Sequence, residues 1–332
     1  MKRFKYILKK LKTLEYKNMI NIAKKIHKKT NKNTLCILFD MVRCAFKFGS
    51  GYMDYFEFEF YLLKDKEKKT YITSNINNDI IKKYNNPEFF DIFENKDIFN
   101  KKFKKYLNRS YINIEEKMLE DFIKFVKGKK RIVVKPLNQS GGKGVEVINL
   151  NKNTNLEKVF NSLIRNEQYL VEEYISQSAQ MNKLYKSSVN TLRIITFYKD
   201  KKVYVLKSVL KIGNGGNVDN FSSGGMYTFV NEDGKVFVPA IDEEGNIFDK
   251  HPVSNTEIIG FKIPKYDEVI NLVKKLGKVV PEVAYVGWDI AITSKGPVLV
   301  EGNSFSGIFQ VKPSISGIKI GDLPNYRKYM DI

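Results

Sequence analysis

Cysteine and histidine are the scarcest chemical resources of this 332-residue chain, with two of each. Cys36 and Cys44 are too few for a disulfide scaffold and fit a reducing, cytoplasmic setting. His27 and His251 lie far apart in the sequence, which argues against a zinc site built with the cysteines and leaves no promising Ser/His/Asp or Cys/His arrangement. No apolar run approaches the ~20 residues that a membrane-spanning helix needs. The basic N-terminus lacks the continuous apolar stretch of a secretory signal, so none is expected. Acidic residues are also short, 37 against 57 Lys and Arg, for a net charge of +20. Such an imbalance bears on partners more than on fold. It is uneven: residues 1–33 hold twelve Lys/Arg and one acid, Glu15. What remains is ordinary for a globular protein, 42% apolar and 28% charged, which excludes disorder for most of the length. At about 150 residues per domain, two to three domains or lobes are expected.

Residues 4–26 read as one amphipathic helix. Phe4, Ile7, Leu8, Leu11, Leu14, Met19, Ile22, Ala23 and Ile26 follow the spacing of one face, and lysines fill the other. Two readings stay open: a helix docked on the protein's own body, or a peripheral helix on an anionic membrane. Residues 31–110 are rich in aromatics. Interleaved with lysine, these suggest stacking on nucleic acid. However, Phe56, Phe58 and Phe60 alternate with Glu57 and Glu59 as in a half-buried strand. Acids facing outward would repel a phosphate backbone, so no nucleic-acid partner is expected. Beyond residue 112 the pattern predicts helices at 114–127, 156–165 and 266–277. Strands are predicted at 131–135, 145–150, 169–174, 192–198, 203–210, 284–292 and 298–301, with a turn at 199–201 and a glycine-rich stretch at 213–225. The alternation is mixed, without a regular βαβ series or internal repeat, and points to an α+β fold.

Two constellations carry chemistry. In the first, a strand ends in Lys135-Pro136 and runs into Asn138-Gln-Ser-Gly-Gly-Lys-Gly144. Glycines let the backbone approach a ligand and offer N–H groups to phosphate oxygens, and Lys135 adds a point charge. The spacing is neither a Walker P-loop nor a dinucleotide fingerprint. A plain β-turn explains the glycines as well. In the second, Gly287-Trp288-Asp289 is followed by Leu299-Val300-Glu301-Gly302-Asn303. Strand alternation puts Glu301 and Asn303 on one face. An odd-numbered loop or a bulge would bring Asp289 opposite Glu301. Two carboxylates and a carboxamide would then form an oxygen-only donor set suited to Mg²⁺; otherwise each acid is solvated at a strand end. Trp288 faces away and reads as core.

Taken in order, these stretches resemble the ATP-grasp superfamily, and within it the sugar-transfer-associated ATP-grasp proteins of polysaccharide gene clusters. Asp54-Tyr55-Phe56, Asn95-Lys96, Val171-Glu172-Glu173-Tyr174, Ser188-Val189-Asn190-Thr191-Leu192-Arg193 and Val218-Asp219-Asn220 extend the similarity over roughly residues 50–312. The resemblance implies a nucleotide held between two α+β lobes, with an N-terminal helical, aromatic-rich extension. It divides the chain into a basic helix (1–33), an N-terminal lobe (34–110), a small lobe with the phosphate loop (111–178) and a large lobe with the metal site (179–332). It implies ATP and one or two Mg²⁺ ions as cofactors. Lys96 and Lys135 would meet the phosphates, and Ser140, Gly141, Gly142 and Gly144 would close over them. Glu172, Glu173 and Tyr174 would surround adenine, with Gln177 or Gln180 replacing an absent ribose-binding acid. Asp289, Glu301 and Asn303 would bind the metal. Arg193, and similarly Lys211, would act near the transferred phosphoryl group.

The function implied is an ATP-dependent carboxylate–amine ligase working through an acyl phosphate. Its substrates would be small or sugar-linked carboxylates and amines, precursors of a cell-surface polysaccharide. Two alternatives stand beside it: a kinase with a hydroxyl acceptor, and a non-catalytic module binding a polyanion or membrane through residues 1–33. The expected location is cytoplasmic, with the inner face of the membrane as the setting for the second reading of that helix.

Overall fold

The computed structural model describes residues 16–139, 141–216, 219, 221 and 224–332. The predicted helix before Tyr16, and Ser140, Val218 and Asn220, lie outside the described residues. Two compact units are present, Met1–Lys82 with Gly307–Ile332, and Lys83–Ser306. Their boundaries fall inside the segments 34–110 and 179–332, each of which the resemblance drew as one lobe.

In the first unit, helices α1 (Tyr16–Thr30) and α2 (Thr34–Phe48) pack on each other and on the short helix α3 (Tyr52–Glu57). Ile22, Ala23 and Ile26 of α1 and Ile37, Met41 and Cys44 of α2 are buried, as their spacing dictates. Asn33 caps α2 by accepting the Leu35 N–H, and Gly49 ends it at φ 67°. The expected strand through Phe56, Phe58 and Phe60 is not formed. The chain is helical to Glu57 and takes a 3₁₀ turn at Phe60–Leu62. Its acids serve local capping and side-chain bonds. Asp54 accepts the Gly51 N–H at 2.8 Å, and Glu59, at φ 53°, accepts from Ser314 N–H at 2.8 Å. Aromatics that alternate in sequence therefore meet in one cluster, with Phe60 and Tyr71 at 5.5 Å between centroids.

The second unit holds two antiparallel sheets. The smaller comprises β1 (Tyr111–Asn113), β2 (Arg131–Lys135), β3 (Glu146–Asn149) and β4 (Leu170–Glu173) in the order β1-β4-β2-β3. Ile132, Val134 and Val171 face Phe122 and Val126 of α4 (Leu119–Val126) and Leu163 of α5 (Leu156–Arg165). The helix predicted from 114 begins only at Leu119, because Ile114 N–H bonds Tyr169 O as a continuation of the sheet. Period-2 alternation leaves Val133 and Lys135 on the other face of β2.

The larger sheet has seven strands: β5 (Thr191–Lys199), β6 (Lys202–Ile212), β7 (Met226–Phe229), β8 (Ala240–Asp242), β9 (Ile247–Phe248), β10 (Tyr285–Thr293) and β11 (Gly296–Asn303). Their order is β11-β10-β5-β6-β7-β8-β9. Asp200 and Lys201, both at positive φ, make the tight β5–β6 turn. Leu192, Ile194, Leu210, Trp288 and Ile290 belong to one core with Val269, Val273 and Leu276 of α6 (Tyr266–Leu276). Trp288 is part of that core, 5.5 Å from the Phe103 ring. The opposite face carries Thr191, Arg193, Lys211 and Asp289, which pair across strands as Thr191–Lys211 and Arg193–Asp289. In the β10–β11 hairpin Asp289 pairs with Glu301, but Ile290 pairs with Leu299. Val300 is the extra residue of a bulge.

Candidate active site

Between the two sheets of the second unit lies a cavity of about 130 Å³. Its apolar lining is Val133, Val145, Val147, Ile175, Val189 and Val300. Its polar lining is Lys96, Lys135, Gln139, Gly141 and Gly142 together with Lys211, Asp219, Asp289 and Glu301 of the large sheet and its loops. A wider cavity of about 450 Å³ shares Lys96, Lys135, Glu172 and Glu301 with it and adds Asn303.

Lys135 ends β2 and its ammonium lies 2.6 Å from the Glu172 carboxylate. Glu172 is buried and also accepts from Arg109 at 2.9 Å and Asn100 at 2.8 Å. Burial alone would raise the Glu172 carboxyl, but Arg109 and Lys135 outweigh it and hold the group well below its ordinary value. The Glu173 carboxylate bonds Ser110. Both carboxylates thus have protein partners, while Tyr174 lines the cavity beside them, its ring centroid 3.8 Å from the Arg131 guanidinium carbon. Lys96 donates to Gln139 O, and its own N–H bonds Leu137 O at 3.0 Å. Burial, with the nearby Lys135 charge, lowers its pKa. Gly141 and Gly142 line the cavity at φ 70° and 75°. Gly144 does not. It packs on Pro136, where a Cβ would sit 2.6 Å from Cγ.

On the facing sheet Asp289 is held from two sides. Arg193 grips it in a fork, through Nε to Oδ1 and Nη2 to Oδ2 at 2.9 Å, and Lys211 stands 3.3 Å from Oδ2. Burial again pushes the Asp289 carboxyl up, and these two cations more than reverse it. Glu301 has the opposite balance: burial and then the Asp289 charge raise its pKa. Asp219 accepts from Thr191 N–H at 2.9 Å and pairs with Lys211 at 3.5 Å. The stretch after β6 is anchored by His251, whose Nδ1 accepts from Val253 and Ser254 N–H, so that Nε2 donates to Gly213 O at 2.8 Å.

A profile of the sugar-transfer-associated ATP-grasp family matches residues 75–315. The chain belongs to that family. As a sugar-transfer-associated ATP-grasp protein it has the ATP-grasp fold, with the two α+β lobes described above. Among solved structures it is similar to D-alanyl-alanine synthetase A from Vibrio cholerae O1 biovar eltor, at 14% identity over 73% of this chain and 61% of that one, TM-score 0.41. It is also similar to the ATP-grasp ligase PsnB complexed with a minimal precursor, at 13% identity over 73% and 62%, TM-score 0.41. A third is phosphoribosylamine–glycine ligase from Thermotoga maritima, at 13% over 66% and 49%, TM-score 0.42. The chain spans about three fifths of the length of the first two. No curated protein sequence matches it. Among the described residues no helix is long and apolar enough to cross a membrane.

Of the site residues expected from sequence, Lys96, Lys135, Gly141, Gly142, Glu172, Glu173, Tyr174, Lys211, Asp289 and Glu301 share the inner cavity, and Asn303 lines the adjoining one. Four line neither cavity: Gly144, packed on Pro136, and Arg193, Gln180 and Gln177. Arg193 lines neither cavity, because its guanidinium is turned to Asp289 and, at 3.1 Å, to Ser306 O. Gln180 lies on the helix Ala179–Leu184 with its amide on Lys262 O, outside both cavities. Gln177 is buried against Tyr185 O, Ser188 O and Asn190. Ser140 lies outside the described residues. Sequence reasoning missed Arg109 and the valine lining, and did not place Asp219 in the site. One signal was available for Arg109: seven of the 57 basic residues are arginines, and two of those seven form buried forked or doubly bonded contacts here.

Among the described residues no cluster of three His, Cys, Asp or Glu side chains could hold a metal ion. The site offers two carboxylates and a carboxamide oxygen. Burial and then the Asp289 charge raise Glu301, and a cation between the two carboxylates would relieve that repulsion. An oxygen-only set of three, leaving further positions to phosphate and water, fits magnesium.

Proposed function

We propose that the protein is an ATP-dependent ligase that activates a carboxylate as an acyl phosphate and transfers it to an amine. The observation that carries the reading is the composition of one cavity: a set of valines and an isoleucine, with Lys96 and Lys135 sharing the space with Asp289 and Glu301. In this reading the valines exclude water from a planar base, and backbone groups at 174–175 meet its edge. Lys135, oriented by Glu172, and Lys96 take up the phosphate charge. Asp289, Glu301 and Asn303 would hold Mg²⁺, which when bound neutralises phosphate charge and orients the transferred group. Arg193 keeps Asp289 ionised and fixed, and so acts as a positioning residue. Gly141 and Gly142 allow the loop backbone to close on the phosphates. The family's association with sugar transfer supports a sugar-linked carboxylate or amine as substrate.

The test is ADP release from Mg²⁺-ATP in the presence of amino acids, uronic acids and amines, followed by product mass. An amide product is expected. A stable phosphate ester would instead identify a kinase. Asn303→Ala and Glu301→Gln should each lower turnover by about a hundredfold or more, the scale of losing one electrostatic stabiliser. Wild-type rates in both would overturn the assignment.

A further inference from the structure

Helix α2 is apolar on two opposite faces. Ile37, Met41 and Cys44 are buried in the first unit. Leu35 and Phe39, each 74% exposed, and Val42 and Phe46, at 36% and 40%, are not. Their 4-3-4 spacing gathers the four within an arc of about 60°, roughly opposite the buried face at 100° per residue. A helix on the surface of a soluble unit ordinarily turns a polar face to water, and a contiguous exposed apolar stripe marks an interaction surface.

The neighbouring helix shows what covers it. In α1 the exposed positions opposite the buried Ile22 and Ile26 are Lys17, Ile20, Lys24 and Lys28. Both helices pack on each other and on α3, and each turns a face to solvent. Residues 16–33 carry six lysines and no acid, and residues 1–15 add six Lys/Arg and one acid. A second copy of the chain would bring two such cationic segments together. A polynucleotide would satisfy the lysines and leave the leucine and two phenylalanines in water. An anionic lipid surface satisfies both. We propose that this face of the first unit docks on anionic membrane, with Leu35, Phe39, Val42 and Phe46 entering the boundary between headgroups and acyl chains. Lys17, Lys24 and Lys28 meet the headgroups.

The test is co-sedimentation of the full chain with vesicles of phosphatidylcholine alone or mixed with phosphatidylglycerol. Binding should require the anionic lipid and weaken with salt. The double variant Leu35→Ser/Phe39→Ser should bind about tenfold less while melting as wild type, since both sites are solvent-exposed. Lys17→Gln/Lys24→Gln/Lys28→Gln should bind about a hundredfold less, at about fivefold per lysine. Equal binding to neutral vesicles, or unchanged binding of the serine variant, overturns the proposal. So does a dimer by light scattering that the serine variant dissociates while no vesicle is bound, or binding to a polynucleotide without binding to vesicles.

Discussion

Replacing Glu172 by Gln keeps the shape of the side chain and removes the one negative charge that two cations share. Arg109 Nη2 lies 2.9 Å from one carboxylate oxygen and Lys135 Nζ 2.6 Å from the other, and the side chains of Arg109 and Glu172 are each 3% exposed. Removing one partner of such a buried pair costs about 3–5 kcal/mol, because the remaining charge loses its compensation. The Gln carbonyl can still accept one bond, which places the expected loss near 3 kcal/mol. At about 2–4 °C per kcal/mol for a domain of this size, the melting temperature should fall by about 6–12 °C. The Glu172 carboxyl is held below its ordinary 4.5. Its contribution is therefore present above that value and is lost as pH falls through the lower, folded one. The gap between wild type and Glu172→Gln should stay constant from about pH 8 to 6 and narrow in acid. Adding Lys135→Met should restore part of the stability, since it removes one stranded cation. Melting by circular dichroism across pH reads all three effects. A Glu172→Gln protein melting within about 2 °C of wild type would refute the reasoning.

Other consequences are simpler to measure. Gly302→Ala would set a Cβ 2.8 Å from Trp288 Cζ3 and 3.0 Å from Phe99 Cε2. Overpacking of that kind costs about 1–3 kcal/mol, so a urea midpoint equal to wild type would contradict the packing described. Burial pushes the Cys44 thiol up to about 11, whereas Cys36 is exposed. At pH 8 a maleimide should label the native protein once, at Cys36, and a second time only after unfolding. Asp40 resists its burial through Lys68, Arg43 and Tyr55, which lower its pKa. The stability it lends the first unit should fade as pH drops below the ordinary carboxylate range, and Asp40→Asn should flatten that acid limb of the melting curve.

The strand Arg131–Lys135 and the helix Leu156–Arg165 have the ends that their residue patterns predict, because each is set by local periodicity. The bulge that brings Asp289 opposite Glu301 was legible as one of two alternatives, and the observed register has it. What sequence could not show depends on partners far along the chain. Alternation at Phe56, Phe58 and Phe60 imitates a strand. The bonds that decide the backbone there run from Asp54 to Gly51 and Ser74, and from Glu59 to Ser314. Arg193 and Gln180 carry the right functional groups for a nucleotide site. Their directions are decided by a cross-strand carboxylate and by the Lys262 carbonyl. Arg109 sits just before β1, and only the pairing of Tyr111 with Glu172 brings it to its carboxylate.

The unpaired residue in β11 reverses the parity of everything after it. Leu299 and Glu301, two apart, would share a side in a regular strand. Here Leu299 goes to the interior while Val300 and Glu301, consecutive in the chain, both reach the cleft. A greasy side chain of the pocket wall and an acidic one are thus joined by a single peptide bond. Deleting Val300 would leave a regular strand with Leu299 still inward and Glu301 still opposite Asp289, so it would strip the valine from the pocket wall and spare the carboxylate.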